Sequence, residues 1–273
     1  MEKSRVLTDF ARVINSDRYQ YTESDIFLME NMEEKIAVFD VYFRKTEDGG
    51  FAVVAGVQEV INLIEILNST PEEEKRMYFS EILEEEHLVD YLSKMKFTGD
   101  ILAMRDGEIV YPNEPVLTVK APLIQAKILE TPILNIINMQ MAIATKASRI
   151  CSAAGTYDPV LDFGLRRAHG TEAGLYGARA CIIGGCVGTS NVEAEYCWDT
   201  VSKGTISHAF IMAFDKEIDA FRAYAKYNPD NLILLADTYD TLNSGVKNAI
   251  KVFTEEREAG RLKGAYGIRL DSG

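Results

Sequence analysis

No run in the 273-residue sequence approaches the roughly 20 apolar residues that a membrane-spanning helix needs. The longest candidate, residues 178–187, is about half that length and contains Arg179. No apolar signal segment opens the chain, and the four cysteines, Cys151, Cys181, Cys186 and Cys197, contain no C-x-x-C pair. These absences argue against a secreted disulfide scaffold and fit a soluble protein of the reducing cytoplasm. Histidine is scarce too: His87, His169 and His208 are widely separated, with no H-E-x-x-H spacing, and make no case for zinc. Basic residues are outnumbered 29 to 42, giving a net charge of -13. That balance disfavours nucleic acid or an anionic membrane as a partner, so an anionic ligand needs a local basic pocket.

Apolar residues are plentiful. They make up 47% of the chain, enough for a sizeable core, and the length allows two domains. Much of the acidity lies in Glu72-Glu73-Glu74 and Glu84-Glu85-Glu86, beside apolar residues at helical spacing, as expected of solvated helix faces.

The spacing predicts helices over residues 22–32 and about 56–94, and strands over 36–44 and 51–55 joined by the turn Glu47-Asp48-Gly49-Gly50. From Phe97 to Val119, short strands broken by Asp106-Gly107 and Pro112-Asn113-Glu114-Pro115 suggest an antiparallel meander. Pro122 opens a long apolar helical stretch, interrupted by Pro132, that reaches about Ala154. Beyond Gly155 the pattern alternates: strand 160–163, helix 172–183, strand 186–189, strand 201–206, helix 210–226, strand 232–236, helix 242–259 and strand 265–270. This order predicts a parallel sheet. A closed eightfold barrel takes about 250 residues, so five strands after Gly155 imply a partial one. The expected fold is therefore α/β: an N-terminal α+β domain (1–121), a connecting helical segment (122–154) and an incomplete, irregular barrel (155–273).

Four apolar runs of the second half end in polar clusters: Asp162-Phe163-Gly164-Leu165-Arg166-Arg167, Gly204-Thr205-Ile206-Ser207-His208, Asp237-Thr238-Tyr239-Asp240 and Asp271-Ser272-Gly273. Ligands of parallel α/β folds sit at the carboxyl ends of strands, where loops diverge and helix N-termini present free NH groups. The first cluster offers an aromatic face and two guanidinium groups, a combination suited to a flat anion; the ordinary alternative is a core Phe163 with arginines paired to nearby carboxylates. His208 has the chemistry of an acid, base or phosphoryl acceptor, although a lone histidine is more often structural. His87 lies in an acidic helical stretch and invites only a structural role. Arg269 and Asp271, two apart on an extended segment, project to one side, one suited to a phosphate and the other to sugar hydroxyls. Asp237 and Asp240 bracket a strand-to-helix turn, where helix capping is the ordinary role.

Taken in order, Phe97-x-Gly99-x-Ile101, Asn113-Glu114-Pro115, Glu130-Thr131-x-Ile133-Leu134-Asn135, Asp162-Phe163-Gly164-x-Arg166-Arg167, Gly188-Thr189-Ser190-Asn191, Gly204-Thr205-x-x-His208, Asp237-Thr238-Tyr239-Asp240-Thr241 and Arg269-x-Asp271-Ser272-Gly273 resemble the nicotinate phosphoribosyltransferases. The resemblance spans nearly the whole chain; Tyr21, where the family more often has an aliphatic residue, is a minor departure.

The resemblance implies a type II phosphoribosyltransferase fold joining nicotinate to phosphoribosyl pyrophosphate, with ATP and Mg²⁺ as cofactors, in NAD biosynthesis. It places Phe163 against one face of the pyridine and Tyr19, in Asp17-Arg18-Tyr19-Gln20, against the other across a homodimer. It gives Arg166 and Arg269 the anionic groups, Asp271 the ribose hydroxyls and a catalytic role, Asp237 a substrate-binding role, and His208 the role of a catalytic phosphohistidine. Related nicotinamide enzymes carry Asp where this chain has Ser190; a hydroxyl donates to a carboxylate that an Asp would repel, so nicotinate is the expected substrate. Family members continue past Asp-Ser-Gly through loops that cradle the 5-phosphate, so the chain alone is expected to lack part of that site and to leave an open barrel edge. The alternatives are a nicotinamide phosphoribosyltransferase, a Schiff-base aldolase using Lys203 or Lys263, and a non-catalytic fragment or regulatory homologue.

Overall fold

The computed structural model describes residues 8–46 and 50–271, apart from the side chain of residue 13. The turn at 47–50 therefore lies mostly outside the described residues, as do Ser272 and Gly273. The chain divides into two compact units, Met1–Ser202 and Lys203–Gly273.

The first unit opens with α1 (Asp9–Val13), α2 (Arg18–Met29) and β1 (Ile36–Val41). It continues through β2 (Ala52–Val53), α3 (Val57–Ser69), α4 (Glu72–Ile82), α5 (Glu86–Lys94), β3 (Asp100–Ala103), β4 (Ile109–Val110) and β5 (Leu117–Pro122). The first predicted helix begins four residues earlier than expected, at Arg18. Glu72, Glu73 and Glu74 occupy the first turn of α4, where carboxylates face free NH groups.

The strands do not pair as predicted. β1 lies antiparallel to β5, β3 takes the other side of β5, and β2 pairs with β4, so the expected β1–β2 hairpin and sequential meander give way to two interleaved sheets. β5 alternates burial and exposure, with Leu117, Val119 and Ala121 inward; a strand with this clean apolar face takes the central position.

Helix α6 (Leu123–Ala154) runs for 32 residues and is not interrupted at Pro132. Proline removes a helical NH, but buried Ile128, Leu129, Ile133 and Ile137 hold this face in the core on either side of it. These residues join Phe10, Leu63, Leu67, Phe79, Leu88, Leu92 and Leu117 in the main core.

A short 3-10 turn (Leu165–Arg167), α7 (Thr171–Ile183) and α8 (Val192–Trp198) complete this unit. The predicted strands 160–163, 186–189 and 201–206 are reduced to parallel bridges from Asp162 to Thr189 and from Thr189 to Ser202. α7 packs against α6, with Ala180 and Ala144 in a shared apolar cluster, so residues 155–202 fall with the N-terminal unit rather than in a domain starting at 155.

The second unit holds α9 (His208–Met212), α10 (Glu217–Tyr227), β6 (Asn231–Leu235), a π turn (Thr241–Gly245), α11 (Val246–Glu258) and β7 (Ala265–Arg269). The predicted helix at 210–226 is thus split in two. β6 and β7 pair in parallel from Asn231↔Ala265 to Leu235↔Arg269, as a strand–helix–strand order requires. Phe221, Leu232, Leu234, Leu235 and Val252 form its core.

Candidate functional site

In the first unit, two distant motifs meet. The Gln20 amide donates to the Tyr19 hydroxyl (2.8 Å) and to Glu130 Oε2 (3.0 Å), the Tyr19 hydroxyl reaches Glu130 Oε1 at 3.3 Å, and Thr131 donates to Asp17 at 2.9 Å. Lys127 lies over the Tyr19 ring at 5.0 Å. Burial, then the Glu130 charge, raise the Tyr19 phenol above its ordinary pKa, so it stays protonated at neutral pH. The ring nevertheless keeps an exposed face beside a cleft of about 1090 Å³ lined also by Asp17, Phe43, Leu134, Asn138 and Met141. Phe163, Arg166 and Ser190 do not line this cleft.

The Asp162 bridge sets those three residues. The Ser190 NH donates to the Asp162 carbonyl at 2.8 Å; the Asp162 carboxylate accepts from the Gly164 NH and the Thr189 hydroxyl, both at 2.9 Å. Thr189 also accepts from the Asn191 NH at 3.1 Å, and Asn191 caps α8 by accepting from the Glu193 NH. Phe163 is half-buried, and Arg166 is exposed on the 3-10 turn. Among the described residues, no carboxylate forms an ion pair with Arg166 or Arg167. Thr189→Val keeps the shape of the fully buried side chain but strands two hydrogen-bond partners; urea denaturation is expected to show a loss of about 1–3 kcal/mol.

The second unit gathers four of the singled-out residues into one cluster. His208 is the first residue of α9, whose N-cap Ser207 accepts from the Phe210 NH at 3.2 Å. Its Nδ1 lies 3.1 Å from the Thr238 hydroxyl and its Nε2 3.5 Å from Asp271 Oδ2. Arg269 contacts the other Asp271 oxygen and donates to the Thr205 hydroxyl at 2.8 Å. The Asp271 NH donates to Asp237 at 2.6 Å, joining the ends of β6 and β7. Here a cation, two carboxylates, two hydroxyls and an imidazole converge, the composition expected where phosphate oxygens and sugar hydroxyls are held.

Asp240 separates from this group. It accepts from the Asn243 NH at 2.8 Å and from its side-chain amide at 3.0 Å, and these bonds hold its carboxyl below the usual range. It is the capping residue, whereas Asp237 is not. His87 pairs with Asp25 at 2.6 Å, a structural role. Lys203 and Lys263 are exposed and lack the desolvation an aldolase lysine requires. Sequence reasoning does not single out Thr205 or Thr238, although Thr205 stands three residues before His208 and Thr238 directly after Asp237.

Residues 14–138 match the family model described as the nicotinate phosphoribosyltransferase N-terminal domain. Over those residues the chain is similar to the N-terminal domain of that family. The likeness to this family extends well beyond it. The nicotinate phosphoribosyltransferase of Bacillus subtilis is 40% identical over 261 residues, covering 95% of this chain and 52% of its own length. That of Dictyostelium discoideum is 35% identical, covering all of this chain and 53% of its own. The crystal structure of human nicotinic acid phosphoribosyltransferase superposes with a TM-score of 0.83 at 25% identity, covering 94% of this chain and 61% of that one. The fold is thus that of the type II phosphoribosyltransferases, and the chain spans about half the length of the curated relatives it matches.

Proposed function

We propose that this chain supplies the pyridine-binding and phosphoribosyl-handling residues of a cytoplasmic, homodimeric nicotinate phosphoribosyltransferase. The cluster of His208, Asp237, Arg269 and Asp271 carries this reading. The pyridine nitrogen bonds to the anomeric carbon of phosphoribosyl pyrophosphate as the bond to pyrophosphate breaks, building an oxocarbenium-like cation. Asp237 and Asp271 offset that charge and accept from ribose hydroxyls, and Arg269 holds anionic oxygens. In the first unit, Phe163 stacks the pyridine, Arg166 and the Ser190 hydroxyl bind its carboxylate, and Tyr19 serves the partner copy.

His208 accepts the γ-phosphoryl group of ATP. A carboxylate facing Nε2 favours the proton there, leaving the Nδ1 lone pair beside Thr238 as the nucleophile. Breakage of the γ-phosphorus–oxygen bond then releases ADP.

Among the described residues no three His, Cys, Asp or Glu side chains could hold a metal ion. Mg²⁺ usually takes one or two carboxylates together with substrate phosphates, and Asp237 and Asp271 fit that demand. When bound, the ion neutralises charge on the departing pyrophosphate.

The four free cysteines suit the reducing compartment proposed here. The test of the function is production of nicotinate mononucleotide by the complete protein. Asp271→Asn keeps the shape but removes the charge facing His208 and Arg269, and is expected to lower kcat by about 100-fold or more while nicotinate affinity holds. An unchanged kcat contradicts the role assigned to this carboxylate.

A further inference from the structure

Three of the four cysteines meet where α6 ends. Cys151 Sγ lies 3.9 Å from Cys186 Sγ, and Cys181, whose carbonyl accepts from the Cys186 NH at 3.0 Å, lies beside them. This approach is enforced by Gly184 and Gly185. A Cβ at Gly184 would overlap the Ala144 carbonyl of α6, and one at Gly185 would press on Cys151 at 3.4–3.5 Å. Gly185 also has a φ of +109°, which side chains rarely adopt. The glycine pair thus lets the backbone turn directly against the last helical turn and brings two thiols face to face.

The three sulfurs differ in access. Cys186 is buried and Cys181 half-buried, and burial pushes both thiols up to about 12. Cys151, half-buried like Cys181, lines an open cleft of about 490 Å³ with Ser148, Ser152 and Thr156. A small oxidant reaches Cys151 first, with Cys186 behind it as the resolving thiol. A disulfide needs the sulfurs about 2.05 Å apart, so each moves by roughly 1 Å, within reach of side-chain rotation.

We propose that Cys151 and Cys186 form a redox modification site, in which a peroxide oxidises Cys151 and Cys186 closes a disulfide tying the end of α6 to the segment leading into Ser190. In the first step the Cys151 sulfur attacks hydrogen peroxide, the O–O bond breaks, and one water leaves with formation of a sulfenic acid. In the second, the Cys186 sulfur attacks the Cys151 sulfur, the S–OH bond breaks, and the Cys186 proton leaves with the hydroxyl as a second water. Two thiols and one peroxide thus give one disulfide and two waters. The segment tied down carries three bridging amides: Val187 donates to Val160, Thr189 to Val201 and Ser190 to Asp162. The crosslink clamps the strand that sets Ser190, independently of which substrate Ser190 contacts.

The test is peptide mapping of the full chain, non-reducing, after titration with hydrogen peroxide, alongside amide hydrogen exchange and thermal melting. Expected are a Cys151–Cys186 crosslinked peptide, slower exchange at 187–190 than in the reduced protein, and a melting rise of roughly 5 °C, all reversed by dithiothreitol. Cys151→Ser should abolish all three changes, whereas Cys181→Ser should keep them. A Cys181–Cys186 crosslink, a crosslink only through exposed Cys197 between chains, or Cys151 and Cys186 both recovered as thiols would each overturn the assignment.

Discussion

Replacing His208 by Ala removes ATP-dependent stimulation of nicotinate mononucleotide synthesis by the complete protein, leaving the rate with ATP equal to the rate without it. The expectation follows from how the imidazole is held. Its two nitrogens face chemically different partners, the Thr238 hydroxyl at 3.1 Å and the Asp271 carboxylate at 3.5 Å, while its backbone opens α9 under the Ser207 cap. A ring that served packing alone would not need a hydroxyl on one nitrogen and a carboxylate on the other. The side chain is about one-third exposed, so truncation leaves solvent rather than a sealed cavity, and the fold should survive. Initial rates at matched substrate concentrations, with and without ATP, give the answer, with circular dichroism as the check on folding. Gln in place of His208 retains polarity and size but has no phosphoryl-accepting nitrogen, and should behave as Ala does.

Gly245→Ala should destabilise the protein by about 3 kcal/mol or more, the range of overpacking against unyielding neighbours. In a helical turn Ala ordinarily outperforms Gly by up to about 1 kcal/mol, and Gly245 has helical angles, φ -55° and ψ -54°. Propensity therefore predicts the opposite sign. The decisive fact is that a Cβ at Gly245 would overlap the carbonyl of Ala236, and backbone cannot swing aside as a flexible side chain does. Ala236 is itself fully buried, its NH donates to the Arg269 carbonyl at 3.1 Å, and the next residue is Asp237. The clash thus reaches both strand ends that carry the cluster. Thermal and urea denaturation should show lowered stability, and any folded fraction should show weakened substrate binding; a variant as stable as wild type would mean that α11 can withdraw from β6.

The helices were the most legible part of the sequence because each buries a stripe at a period that local composition reveals, as in α3, α5 and α10. Strand partners were not legible in the same way. Ile36–Val41 and Ala52–Val53 sit close in sequence, yet pair with β5 and β4, since pairing depends on which faces must be buried together rather than on the nearest turn. The segments around Asp162, Thr189 and Ser202 have the apolar content of strands but make only bridges.

The polar clusters are only partly legible for the same reason. Asp237 and Asp240 look equivalent three residues apart, but only geometry shows one accepting from Asp271 and the other capping a turn. Thr205 and Thr238 gain a role only from their partners, Arg269 and His208, which the sequence alone does not place beside them. The bridges of Asp162 likewise became visible only when Thr189 arrived beside it from 27 positions away.

The most direct test of the account is phosphorylation of the chain with ATP labelled at the γ-phosphate. The account predicts acid-labile, base-stable label on the peptide containing His208, lost in His208→Ala and reduced in Asp271→Asn. Absence of label from the wild-type chain, or label that persists unchanged in His208→Ala, would contradict it.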